Sequence, residues 1–264
     1  MSEYQENFSK IHSDSSLHDV TVREQKAKKV ISVLQDYLGD LKSLTALDIG
    51  CSTGLMTVLY AEKFRNIIGI DIDRPAVEFG IQNNSRTNAQ FYVKDGMDTG
   101  FEDRAFDVII CNHVYEHVPD CTKLMAEIYR LLKVRGVCYF AACNRLRLIE
   151  PHYQLALLSV VPKAVAHIYL RVSNKGTFYY EKHLTLWGLR KLVSHFTLVD
   201  YTLKIVRNPE KFHATEMVKP RSLYQKLALT LLGIAFWISP SYVWLLEKSG
   251  EGQWHPECGE DFEV

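Results

Sequence analysis

The stretch Leu47-Asp48-Ile49-Gly50-Cys51-Ser52-Thr53-Gly54-Leu55 restricts this chain more than any other. An apolar run (Leu44, Ala46, Leu47, Ile49) enters two glycines set among small polar residues, and a helix-compatible run, 56–64, follows. The pattern reads as a buried strand, a tight turn and a helix. Glycine permits positive φ and close approach of a ligand to the backbone. The helix N-terminus behind the turn offers N–H groups and partial positive charge. Further on, a second apolar run ends in an acid, Ile67-Ile68-Gly69-Ile70-Asp71. An acid at the tip of a second strand can hold both hydroxyls of a ribose.

The glycines are not in the order of a dinucleotide-binding turn, and no Lys-Ser/Thr follows as in a P-loop. The pair Asp48–Gly54 and Gly69-Ile70-Asp71 instead resembles motifs I and II of the class I S-adenosylmethionine-dependent methyltransferases. The resemblance implies that Asp48, Gly50, Cys51, Ser52 and Gly54 hold the methionine part of S-adenosyl-L-methionine. It implies that Asp71 binds the ribose and that Ile72 flanks the adenine. The family usually has glycine where Ser52 stands, so a different turn geometry or cofactor affinity is expected there. Asp95-Gly96 resembles motif III, which meets the adenine amine. The run 106–120 resembles motif IV and its loop, so that Asn112 and His113 would border the cofactor's amino acid portion and the transferred methyl. Its ending, Glu116-His117-Val118-Pro119-Asp120, is common in methyltransferases of small molecules, including those of quinone biosynthesis.

At 264 residues with 47% hydrophobic residues, one domain with an insertion or tail is expected. Lys plus Arg and Asp plus Glu are 31 each, so no basic surface for nucleic acid is expected. Cysteines stand at 51, 111, 121, 138, 143 and 258 without a Cys-x-x-Cys pair, which reads as reduced thiols. The N-terminal residues are polar, with no apolar signal segment. The expected location is cytoplasmic, with peripheral attachment to the inner face of a membrane as an extension.

In order, residues 1–44 are expected to form a helical lid, with Tyr4, Phe8 and Ile11 on one face and an amphipathic helix over 23–38. Strands at 45–49, 67–71, 89–93, 106–111 and 137–143 alternate with helices. This predicts an α/β fold, a Rossmann-like, seven-stranded, mostly parallel sheet. An apolar cap insertion, 145–183, follows strand five. A helix over 184–195 resumes the core. A strand over 197–206 with a returning partner over 212–218 would form an antiparallel edge hairpin closing the domain 45–218. The remainder, 219–264, reads as a hydrophobic helical segment and an acidic tail. Within it, 227–246 lacks any charged residue and is as long as a bilayer core requires. Pro240 and its flanking serines interrupt it. A membrane-embedded or re-entrant anchor, a helical hairpin packed on the core or a partner copy, and a full span all remain open.

For the chemistry, a methyl acceptor with a hydroxyl needs a base. His117, Glu150, His152 and His183 are candidates, with His152 and His117 taken as the catalytic pair. His152 is favoured because it lies just past strand five, where the insertion crosses above the cofactor. His113 and His117 are spaced like a metal pair, but no third ligand is evident, and no metal is expected. The apolar insertion and tail suggest a small, lipophilic or lipid-linked acceptor and peripheral membrane contact. The alternative is a non-catalytic methyltransferase-like subunit acting through its apolar C-terminal segment. The oligomeric state is not indicated.

Overall fold

The computed structural model describes residues 20–84 and 88–250. The expected contribution of 1–19 to a lid, Cys258 and the acidic tail beyond 250 lie outside the described residues.

The chain runs α1 (Val20–Leu38), β1 (Thr45–Ile49), α2 (Leu55–Ala61), β2 (Asn66–Asp71), α3 (Arg74–Asn83), β3 (Ala89–Val93), β4 (Phe106–Asn112), α4 (Cys121–Leu131) and β5 (Leu132–Cys143). A short hairpin, β6 (Ile149–Glu150) and β7 (Leu155–Ala156), leads to α5 (Lys163–Val172). Then come α6 (Leu186–Leu192), β8 (Thr197–Asp200), α7 (Thr202–Arg207), α8 (Leu223–Ile234), a 3₁₀ turn (Phe236–Ile238) and β9 (Ser241–Glu247). Seven strands form one sheet in the order β3-β2-β1-β4-β5-β9-β8. Strands β1 to β5 pair in parallel, and β9 is antiparallel to both neighbours.

Side chains alternate across a strand, so each central strand feeds two cores. Ile109, Cys111, Cys138 and Phe140 face one core with Leu124 and Ile128 of α4 and Leu189 of α6. Val108, Ile110, Val137 and Tyr139 face the other, with Val30 and Leu34 of α1 and Met56 and Tyr60 of α2. Helix α1 is thus a layer of the core rather than part of a lid, which corrects the expectation for 20–38. The Tyr37 hydroxyl donates to Glu247 at 2.6 Å, joining α1 to the end of β9.

The edge hairpin has different members from those expected. The strand at 197 ends at Asp200, because its carboxylate accepts the Thr202 N–H at 2.7 Å and the chain turns into α7. The segment 212–218 is no strand; Phe212, Ala214 and Val218 are buried, the first two in the α1-side core. The partner is β9, the second half of the apolar run 227–246. Its residues Tyr242, Val243, Trp244, Leu245 and Leu246 are all buried. Burial on both faces removes the period-two signal that marks an exposed strand. The expected domain limit at 218 therefore moves to 247, and the C-terminal segment is helical only in its first half. Asp200 also accepts from the Trp244 indole N–H at 2.7 Å, and the Asn144 amide donates to the Trp237 and Ser239 carbonyls, each at 2.8 Å. Among the described residues, no helix is long and apolar enough to cross a membrane.

Trp244 fills the centre of one core from β9, so Trp244→Ala is expected to cost about 3–5 kcal/mol of stability. Leu231→Ala, at a residue 54% exposed on α8, is expected to change stability by less than about 0.5 kcal/mol. Urea denaturation of both variants checks this.

Candidate active site

The carboxyl ends of the parallel strands bring together Asp48, Gly50, Asp71 and Asn112. The loop after β1 is built from three left-handed residues, Gly50 (φ 75°), Ser52 (φ 51°) and Gly54 (φ 76°). A Cβ on Gly50 would lie 2.7 Å from Val114 Cγ2, and one on Gly54 would lie 2.5 Å from Phe91 Cε1. Both glycines are therefore required by the protein's own packing as well as by backbone conformation. Ser52 is itself left-handed and carries the strain of a non-glycine residue in that conformation.

Hydrogen bonds close the loop on β2. The Gly50 and Cys51 N–H groups donate to the Ile70 carbonyl, and Gly54 N–H to the Cys51 carbonyl. Asp71 accepts the Ser52 N–H at 2.8 Å and the Asp73 N–H at 3.0 Å. The first turn of α2 is left as the source of N–H groups for a ligand. The helix after β2 is capped by Asp73, which accepts from Ala76 N–H, so Asp71 is not the cap. Burial raises the pKa of Asp71, and the two N–H groups oppose that rise. Asp48 is buried and accepts the Thr57 hydroxyl at 2.6 Å. Burial pushes its pKa up to about 7; Thr57 opposes this, Asp71 adds to it, and the Arg23 guanidinium opposes it. Ile72 is half-buried beside Asp71. Asp95 closes its own turn by accepting the Met97 N–H at 2.9 Å, while Gly96 packs against Ile49 at the tip of β1.

The loop after β4 carries the next group of residues. His113 (φ 60°) donates its N–H to the Ala141 carbonyl, and its Nδ1 lies 3.4 Å from Glu116. Tyr115 is buried; its hydroxyl donates to the Cys143 carbonyl at 2.5 Å and accepts the Leu184 N–H at 3.1 Å. The Lys182 N–H donates to the Glu116 carbonyl and the Lys182 ammonium to the Pro119 carbonyl, each at 2.8 Å. These bonds dock the end of the insertion on the β4 loop. They bring Glu181 and His183 beside Glu116 and His117.

The insertion has a small core of its own, Tyr153, Leu158, Ala166, Leu170 and Tyr179. Glu150, fully buried on β6, accepts the backbone N–H groups of His152 and Tyr153 and bonds His152 Nδ1 at 2.6 Å. Burial alone would lower the His152 pKa, but Glu150 and its acidic neighbours leave it raised. His117 and His152 meet edge to face with ring centroids 4.9 Å apart. Burial holds His117 near pKa 4 against the pull of Glu116, and His183 near 4 against Glu116 and Glu150. The His183 Nδ1 meets the Tyr179 hydroxyl at 2.9 Å.

Of the base candidates, His117, His152 and His183 thus converge, while Glu150 is spent in orienting His152. The reading that no third metal-ligating group accompanies the histidines is corrected. His113 and His117 fall in separate groups, His113 with Glu116 and Cys143, and His117 with His152 and Glu181; within each group the ligand atoms lie within 4.8 Å of one another. Glu116, Tyr115 and Glu181 were missed from sequence. A signal for the last existed: Glu181 and His183 stand two apart in an extended stretch, on one side of the backbone.

Residues 47–140 match the family model described as a methyltransferase domain. Strands β8 and β9, which complete the sheet beside β5, lie outside the matched residues. Residues 47–140 thus form a methyltransferase domain, and the chain is similar to the class I S-adenosylmethionine-dependent methyltransferases. A ubiquinone biosynthesis O-methyltransferase of Rickettsia bellii is 28% identical over 121 residues, 44% of this chain and 49% of the relative. A demethylmenaquinone methyltransferase of Lactococcus lactis subsp. lactis is 26% identical over 166 residues, 60% of this chain and 66% of the relative. The chain thus spans between about half and two thirds of the length of these curated relatives. The crystal structure of a magnesium protoporphyrin IX methyltransferase from Synechocystis PCC 6803, with bound SAH, superposes with a TM-score of 0.51 at 13% identity. That likeness covers 88% of this chain and 86% of the other. The cofactor of this methyltransferase fold is S-adenosylmethionine.

A buried carboxyl with a pKa of about 7 is mostly protonated at pH 6 in the empty site. A cationic amino group placed beside it favours the carboxylate and lowers that pKa. Binding of S-adenosylhomocysteine at pH 6 is therefore expected to release a proton, and binding at pH 8 is not. Calorimetry in buffers of different ionisation enthalpy checks this; Asp48→Asn should abolish the buffer dependence.

Proposed function

We propose that this protein transfers the methyl group of S-adenosylmethionine to a hydroxyl oxygen of a small, lipophilic, quinone-like acceptor. The observation that carries the reading is the His152–Glu150 pair beside His117, in the insertion that docks on the loop after β4. Asp48, Gly50, Cys51, Ser52 and Gly54 take the methionine end of the cofactor in this reading, Asp71 the ribose, and Ile72, Asp95 and Gly96 the adenine side. Asn112 and His113 border the transferred methyl. His152 and His117 are the catalytic residues and remove the acceptor's proton. Alignment of acceptor and sulfonium at near-attack distance supplies roughly 7–11 kcal/mol of the barrier. The names of the relatives, ubiquinone and demethylmenaquinone methyltransferases, support an acceptor of quinone type.

A lipophilic acceptor reaches such a site most directly from a membrane surface. Supporting this, α8 and the 3₁₀ turn expose Leu223, Tyr224, Leu227, Leu231, Ile234 and Trp237. Trp187 of α6 stacks obliquely near Trp237, their ring centroids 6.3 Å apart, and continues the apolar surface toward the insertion. Lys219, Arg221 and Lys226 flank it, with no acid between 217 and 246. This is the pattern of a helix that lies on an anionic interface.

Incubation with methyl-labelled cofactor and a lipid extract is expected to label a lipid-soluble product. His152→Ala should lower that transfer by about 10²–10⁴-fold, the usual contribution of a positioned proton acceptor, while affinity for S-adenosylhomocysteine stays within about twofold. Full transfer by the variant would remove His152 from the mechanism. In flotation with vesicles containing phosphatidylglycerol, the wild type is expected to rise with the lipid, and a Leu227→Asp/Leu231→Asp variant to remain below.

A further inference from the structure

We propose that His117, His152 and Glu181 form a binding site for one divalent transition-metal ion, zinc in preference to magnesium. It deepens the proposed function and rests on it for the role of the ion.

The ligand atoms of the three residues lie within 4.8 Å of one another, close enough for one cation to touch all of them. They come from two separate parts of the chain, the β4 loop and the insertion. The hydrogen bonds of Tyr115 and Lys182 hold those parts together. Two imidazoles and one carboxylate are the ligand set of a catalytic zinc site that keeps a fourth position open. Magnesium prefers oxygen ligands and retains its waters, which suits this set poorly.

The surroundings fit the same reading. A metal-bound imidazole commonly gives its other ring N–H to a carboxylate, which fixes the tautomer and the ring. Glu150 does this to His152 Nδ1 at 2.6 Å and is itself fixed by two backbone N–H groups. Charge points the same way. Glu116, Glu150 and Glu181 are each no more than 1% exposed and lie within one cluster. Several buried carboxylates in one place are costly unless a cation balances them. The neighbouring trio of His113, Glu116 and Cys143 is a weaker site, since the Arg147 guanidinium sits 3.0 Å from the Cys143 sulfur and repels a second cation.

With the ion bound, the acceptor's hydroxyl oxygen takes the open position. Its O–H proton passes to solvent, because metal coordination lowers the pKa of a bound hydroxyl. An oxygen lone pair then forms the new bond to the methyl carbon as the carbon–sulfur bond breaks and its electron pair stays on sulfur. The products are a methyl ether, S-adenosylhomocysteine and one released proton. In the ion-bound site the two histidines act by holding the ion that acidifies the acceptor's hydroxyl, and the proton leaves to solvent.

The test uses the full chain, stripped with a chelator. Titration with Zn2+ by calorimetry, and with Co2+ by visible absorption, is expected to show one equivalent bound, with the absorption of low-coordinate Co2+. His152→Ala and Glu181→Gln should each weaken binding by on the order of 100-fold or more. Glu150→Gln, which loosens the orientation of His152, should weaken it about 10–100-fold. S-adenosylhomocysteine binding, measured on the same samples, reports that the variants are folded. A stripped wild type that binds neither ion, or variants that bind as well as wild type, would overturn the site. Loss of cofactor binding in the wild type, with one equivalent of metal retained, would overturn the methyltransferase reading and leave the site.

Discussion

Strand β5 needs a hydrogen-bonded partner along both edges, and the rest of the molecule follows from how it gets them. It is long and buried almost throughout, and an unpaired edge there would leave N–H and carbonyl groups without water or partner. Strand β4 supplies one side in parallel, and the late strand β9 supplies the other in reverse. The chain must therefore cross from the end of β5, through the insertion, α6, β8, α7 and α8, before it can complete the sheet. The apolar character of 241–247 is the consequence of being placed between two strands and two helical layers. It is not a membrane signal.

The loop after β1 and the cluster around His117 are stabilised by different means. In the loop, the backbone does the positioning. Left-handed residues turn the chain, and Asp71 and the Ile70 carbonyl consume the amides that the turn exposes. In the cluster around His117, side chains do it. Buried carboxylates hold imidazoles, and a tyrosine bridges the insertion to the β4 loop. The first arrangement tolerates little change in backbone. The second can be altered one residue at a time.

The first five strands were legible because each is a short apolar run bounded by glycine or an acid, and alternating helices separate them. The glycine turn and the acid at 71 were legible for the same reason: they are local in sequence. What escaped was whatever depends on distant pairing. Ser241–Glu247 carries no alternation because both of its faces are buried, so it merged with the helix before it into one apolar run. The strand at 197 looked longer than it is because Tyr201 and Ile205 are apolar on a helix as well as on a strand. Glu150 was read as a candidate base, and its carboxylate is engaged by His152 and two backbone N–H groups. Glu181 could be grouped with His183 by its spacing, but nothing in the sequence says that residue 181 returns to residue 117.

Asn144 stands where β5 ends, pairs with Leu184 across a single bridge, and donates its side-chain amide to the segment before β9. The forty-residue excursion between them thus departs and comes home at adjacent points of the scaffold, as a jewel sits in a two-pronged mount. An exchange of that excursion for one from a sister protein would leave the seven strands undisturbed, so that a different cassette can be mounted on the same scaffold.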